Sequence, residues 1–256
     1  MKTAIKNHFA RMRKITEAIL YVLCTFFFPA HAQEKEIIWD YPVKPSTDEW
    51  RQFKSTDEMY RACQIPDHIL KRLDTESLVD ICLGFPSPPL FLLYNSPQQA
   101  FMQHYTNFNG IRELFQREDA GRYLLKKYAA MSMSEYNPLW QPHEKGLFTS
   151  RYMFIESILA QPQVIASLDT KERRMEFLKE AIHKMDEKIA NNDLFSGYSL
   201  EISLWVIGRI LYHENRSLLQ ELNQQYIQRA INTGVFVDID ADMLFQQAKK
   251  YAYENE

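Results

Sequence analysis

Between residues 170 and 191 the apolar side chains Met175, Leu178, Ile182, Met185 and Ile189 recur at steps of three, four, three and four. That spacing keeps them on one side of an α-helix and would scatter them over both faces of a strand. A single stripe predicts a helix covering the outside of a core. Over 199–213 the pattern changes, because Leu200, Ile202, Leu204, Trp205, Val206, Ile207, Ile210 and Leu211 surround the helix on most faces. Such a helix should be central and buried. Similar patterns predict helices over 97–105, 109–117, 119–130, 147–160, 216–232 and 240–252, and Val235-Phe236-Val237 is the only short strand candidate. The fold expected is therefore all-α, a compact array of about ten helices stacked as irregular antiparallel pairs.

Helix boundaries can be read from capping chemistry. Ser46 with Glu49, Ser55 with Glu58 and Asp169 with Glu172 have the capping-box spacing, and the nine residues between the first two leave room for a helix of about two turns. Pro66 can open a short helix, and Asp74 or Thr75 caps one that runs to about Leu83. Gly84 and Phe85-Pro86-Ser87-Pro88-Pro89 end helical structure, which makes 85–95 a point of subdivision, and the apolar Leu90–Tyr94 should pack as a connector. Pro138 and Pro142 mark a loop around Trp140. Residues 69–75 echo 164–170, each ending in Leu-Asp-Thr, but one match does not make a repeat.

The N-terminus bears on compartment. Five basic residues up to Lys14 precede an apolar run of 13 residues, Ala18–Ala30, and then Ala30-His31-Ala32. The run is short of the roughly 20 residues needed to span a bilayer, and small residues stand at −3 and −1. Residues 1–32 thus read as a cleavable secretory signal peptide, cut before Gln33, with a retained anchor as the alternative. Residues 33–45 form an extended leader whose Ile37, Ile38, Trp39 and Tyr41 lie against the domain surface, and 46–256 form one helical domain. The whole chain has 30 basic and 33 acidic side chains; the signal holds five and one, leaving 25 and 32, a net charge of −7. So acidic a product is poorly suited to nucleic acid or anionic lipid. The expected location is periplasmic or extracellular, with no membrane insertion after cleavage.

Export also frames the cysteines. Cys24 leaves with the signal, and Cys63 and Cys82 remain. An even pair in an oxidising compartment invites a disulfide, worth roughly 3 kcal/mol over a loop of about 20 residues. Two buried free thiols are the alternative.

Motifs for chemistry are few. The seven glycines are never closer than 11 residues, which excludes the Gly-rich loops that cradle nucleotide phosphates. Glu180 and His183 have a Glu-x-x-His spacing, but they share a polar face with Glu176 and Glu187 and have no second copy. Asp238, Asp240 and Asp242 begin like a calcium loop, yet Met243 and Lys249 replace the required glycine and glutamate. Cys63 or Cys82 with His68 or His104 would be a thiol and base only if the fold joined them. The sequence therefore assigns no catalytic residue, no metal ligand and no cofactor.

The stretch Cys63-Gln64-Ile65-Pro66, Leu70-Lys71, Thr75-Glu76, Leu78-Val79 and Cys82-Leu83, with Phe108-Asn109-Gly110-Ile111-Arg112-Glu113-Leu114-Phe115, Arg117 and Asp119-Ala120, resembles a family of exported helical proteins common in gut Bacteroidetes. The match is best over about 40–130. The resemblance implies export, a helical fold and both cysteines; it implies no activity and carries no site residue. The expectation that remains is a non-catalytic exported module binding a protein, peptide or glycan, helped by 34 aromatic side chains. The alternatives are a hydrolase of cell-wall or dietary polymer using a carboxylate pair, and a structural part of an envelope complex.

Overall fold

In a computed structural model seven of the described helices begin at a serine, threonine or aspartate whose side chain accepts an otherwise unpaired backbone N–H. The structure describes residues 39–45, 47–86, 93–220, 222, 224–237 and 239–254, so the expected signal peptide and residues 33–38 of the leader lie outside the described residues. Among these residues there are thirteen α-helices and no strand. They are α1 (Asp48–Arg51), α2 (Thr56–Ala62), α3 (Asp67–Leu70), α4 (Thr75–Leu83), α5 (Pro97–Asn107), α6 (Asn109–Leu114) and α7 (Ala120–Ala130). After them come α8 (Pro142–Leu159), α9 (Pro162–Ser167), α10 (Lys171–Ala190), α11 (Gly197–Glu214), α12 (Gln224–Thr233) and α13 (Ala241–Tyr253). Two 3-10 turns cover Met133–Glu135 and Arg216–Leu219. The all-α expectation holds, and Val235-Phe236-Val237 is irregular.

The capping residues are partly those expected. Asp74 accepts from Ser77 N at 2.7 Å and Gly84 closes the same helix, as the sequence indicates. Ser55 accepts from Glu58 N at 3.3 Å, but the Glu58 carboxylate reaches Lys54 N at 2.7 Å, one residue earlier than a capping box requires. Thr47 caps the single turn of α1, and Ser46 lies outside the described residues. Thr170, not Asp169, caps α10. Asp169 instead pairs with Arg173 at 2.5 Å, because that longer side chain offers a charged partner to a carboxylate the backbone leaves free. Pro142 does not prolong a loop; it opens α8 at a first-turn position where its missing N–H costs nothing.

From Trp39 onward the chain is one unit built around α11. Every residue from Ile202 to Leu211 is buried, and α8, α10 and α13 pack against this helix. On α10 the expected stripe is buried at Leu178, Ile182 and Met185, half-buried at Met175 and 42% exposed at Ile189, and the buried face widens on one side to take in Phe177, Ala181, Lys184 and Lys188. Around α4, helices α6 and α7 form the other half of the core. There residues 63–83 and 108–120 meet. Asn109 accepts from Ile65 N at 3.0 Å and donates to Ile65 O at 2.7 Å, while Gln64 spans Tyr60 O and Asn107 O. Two glycines serve close approach. A Cβ at Gly121 would lie 2.5 Å from Ser167 Oγ, where α7 meets α9, and Gly234 ends α12 at φ 79 against Pro97 and Trp205.

Tyr41 goes deeper than a surface leader would. It is buried, its hydroxyl donates to Ile81 O at 2.7 Å, and its ring meets Phe85 and Phe108. Leu90–Leu92 fall outside the described residues; Leu93, expected to pack, is 73% exposed, and Tyr94 packs against Ala100 and Ile202.

Candidate functional site

Three groups of chemistry-bearing side chains among the described residues bear on the sequence expectations. The first lies in the middle of the core. Glu156 interrupts the apolar run Tyr152–Ala160 on α8, and it is fully buried. Its Oε2 accepts from Lys188 Nζ of α10 at 2.6 Å, and its Oε1 from Tyr128 Oη of α7 at 2.8 Å and Ser203 Oγ of α11 at 2.9 Å. Lys188 also reaches Ser203 Oγ at 2.9 Å and lies over the Tyr152 and Phe195 rings. Burial pushes the lysine's pKa down, opposed by the Glu156 charge, and pushes the Tyr128 hydroxyl up. A serine beside a lysine can act as nucleophile and base. Here every one of these groups is inaccessible and bonded inward, so the cluster joins four helices and serves the fold.

The second place holds the sulfur atoms. Cys63 and Cys82, expected to be bonded, are both free thiols and both fully buried. They flank Tyr41, whose hydroxyl is pushed up by burial first and then by Cys82 and Cys63. Burial raises the Cys63 thiol to about 11 and Cys82 further. His104 is fully buried among Phe85, Phe108 and Phe154, with Tyr60 Oη 3.0 Å from Nδ1 and, among the described residues, no partner for Nε2. Desolvation lowers its pKa to about 3. Thiols held protonated and an imidazole of lowered basicity do not make a thiolate nucleophile and its base; the sulfurs behave as small apolar groups. His68 lies on α3, within the first four residues after Pro66.

The third place is open to solvent. A groove of about 820 Å³ runs between α10 and the C-terminal turn of α13. One wall carries Glu172, Glu176 and Glu180 at i, i+4 and i+8, interleaved with Lys171, Lys179, Met175 and His183. The opposite wall is Tyr251, Ala252 and Tyr253, with Lys179 Nζ 5.6 Å from the Tyr253 ring centre. Glu180 Oε1 is 3.1 Å from Lys184 Nζ, and His183 is 3.7 Å from Glu187, so both members of the Glu-x-x-His pair face neighbours on their own helix. Among the described residues no three carboxylate, imidazole or thiol groups could hold a metal ion. Asp240 caps α13 by accepting from Met243 N at 2.8 Å, and Asp242 lies in that helix's first turn, which accounts for two of the three alternating aspartates. Asp238 lies outside the described residues.

All three glutamates of the groove come from one helix face, and the facing wall offers only phenol rings. Glycoside hydrolysis needs two carboxylates flanking the bond, with the separation set by the mechanism. The groove can therefore hydrogen-bond and stack a ligand, but its described residues do not straddle one with acid and base. Fold and groove together define an all-α protein with a charged, tyrosine-edged cleft between two helices. No family model, no curated protein and no solved structure matches the chain. No described helix is long and apolar enough to cross a membrane.

Proposed function

We propose that the protein is an exported, non-catalytic module that binds a glycan along the groove between α10 and α13. The observation that carries this reading is the groove's lining. Acceptors (Glu172, Glu176) and donors (Lys171, Lys179) alternate on one wall, and two tyrosine rings form the other. A chain of sugar hydroxyls offers both donors and acceptors, and the apolar faces of sugar rings suit phenol rings. The near balance of lysine and glutamate favours a neutral ligand over a strongly charged one. Export is supported by the basic and apolar segment before Gln33 and by the acidic charge balance of residues 33–256.

Native affinity electrophoresis in gels containing neutral polysaccharides (pullulan, laminarin, xyloglucan) tests the proposal. One of these gels should retard the protein, and Tyr253→Ala and Glu176→Gln should each relieve the retardation. Tyr253 is 51% exposed, so its loss should leave the fold intact. Uniform mobility in every gel, or retardation that both variants keep, overturns the glycan reading; binding of an unmodified peptide library through the same residues would replace it with a peptide module.

A further inference from the structure

A second cleft differs from the groove in the sign of its charge. Arg209, Tyr212 and His213 on the last turns of α11, with Arg216 on the adjoining 3-10 turn, fall at i, i+3, i+4 and i+7 and line a space of about 440 Å³. Ile165 and Ile231 supply apolar walls. Arg209 is only 8% exposed. Its guanidinium donates to Ile231 O at 2.7 Å, Ala160 O at 2.7 Å, Asn232 O at 2.9 Å and Gln98 Oε1 at 2.8 Å. These bonds use four of the five N–H groups, and all four acceptors are neutral. The Arg216 guanidinium lies 4.3 Å above the Tyr212 ring, which fixes it at the rim. No aspartate or glutamate lines the cleft among the described residues. Glu214, the neighbour in sequence, is turned to Arg174 and lies 3.4 Å from His213 Nδ1.

A helix C-terminus favours cations in its last turn, which accounts for His213 and Arg216. The carbonyls at the ends of α8 and α12 hold Arg209 in place, but they are neutral and leave its charge without an anionic partner among the described residues, beside a cleft with no carboxylate in its described lining. The size suits a drug-sized molecule or smaller. We propose that this cleft binds a small organic oxyanion, its charged group on Arg216 and the remaining N–H of Arg209 and its apolar body against Ile165 and Ile231.

Isothermal titration of the full chain with phenyl phosphate, benzoate and benzyl alcohol tests this. At least one anion should saturate a single site while benzyl alcohol does not, and the two anions distinguish a phosphate from a carboxylate preference. Arg216→Gln should weaken the anion about tenfold, as loss of a charge-assisted bond does. Arg216 is exposed, so the variant's melting temperature should stay within about 1 °C of wild type. Lys171→Gln in the groove should leave anion binding unchanged, which separates this cleft from the glycan reading. Failure of both anions to saturate a site below about 10 mM, equal binding of benzyl alcohol, or undiminished binding by Arg216→Gln overturns the proposal.

Discussion

Replacing Lys188 by methionine tests whether the ion pair in the core holds this fold together. Methionine has nearly the length of the lysine stem, so the substitution leaves little cavity and removes chiefly the charge. What remains is the Glu156 carboxylate, fully buried, with hydroxyl donors from Tyr128 and Ser203 and no opposite charge within its cluster. Stranding one member of a buried pair costs about 3–5 kcal/mol. For a unit of this size each kcal/mol moves the midpoint by about 2–4 °C, so Lys188→Met should melt about 6–20 °C lower. Removing both charges, as Glu156→Leu with Lys188→Met, strands no ion. It leaves the Tyr128 hydroxyl unpaired, at about 1–3 kcal/mol, while Ser203 keeps its bond to Ser199 O at 3.4 Å. The double variant should therefore be more stable than Lys188→Met alone, with a coupling energy of roughly 2 kcal/mol or more. Urea unfolding monitored by far-UV circular dichroism gives the three free energies. A single variant within about 1 kcal/mol of wild type, or a double variant whose loss equals the sum of the two singles, would refute the reasoning.

Buried titratable groups give two more expectations. His104 is neutral in the folded chain with a pKa near 3, against 6.5 when exposed, so between those values the unfolded state binds one proton more. Stability from this group is complete above about pH 6.5 and falls as pH drops toward 3, by at most about 1.4 kcal/mol per unit; urea midpoints at pH 7.5, 6 and 5 should fall more steeply for wild type than for His104→Gln, and parallel curves would contradict this. Cys63 and Cys82 are inaccessible thiols with raised pKa values, so iodoacetamide should label neither in the native protein and both in urea; protein recovered from an oxidising compartment that takes up label in urea only after reduction would show the bond the export reading leads one to expect.

Boundaries with strong local chemistry were legible. Helix α4 begins after Asp74 and stops at Gly84 because an N-cap side chain and a glycine fix both ends within the sequence itself. Pro142 was harder, since proline ends one helix and opens another, and only its position relative to Glu144 decides which. Glu144 Oε2 accepts from Gln141 N at 2.8 Å, a first-turn contact that marks the start. On α10 the stripe of apolar letters was real but incomplete. A stripe counted from apolar letters leaves out Lys184 and Lys188, yet both are buried: Lys184 reaches Met131 O at 2.6 Å and Lys188 reaches Glu156. For Lys188 the signal was present on the partner, a glutamate inside the otherwise apolar run from Tyr152 to Ala160. The groove left no such trace, because its walls lie some 70 residues apart and nothing in either segment encodes their meeting.

The buried charges of this protein are treated in two ways, and the contrast bears on where a ligand can be felt. Glu156 with Lys188, and Lys184 with Glu180, are neutralised within a few ångströms. Their fields cancel before reaching solvent, which is why the central cluster can be rich in functional groups and still be inert. Arg209 has no anionic partner among the described residues. It is held by the carbonyl ends of α8 and α12, where the helix dipoles supply only partial negative charge. Part of its charge therefore persists into the cleft that it lines, at short range. The two solvent-facing sites differ on the same ground. The groove, with its lysines and glutamates interleaved, can select a ligand only by shape and hydrogen bonds, whereas the Arg209 cleft selects by charge. A neutral ligand should therefore discriminate against the second site and a small anion against the first.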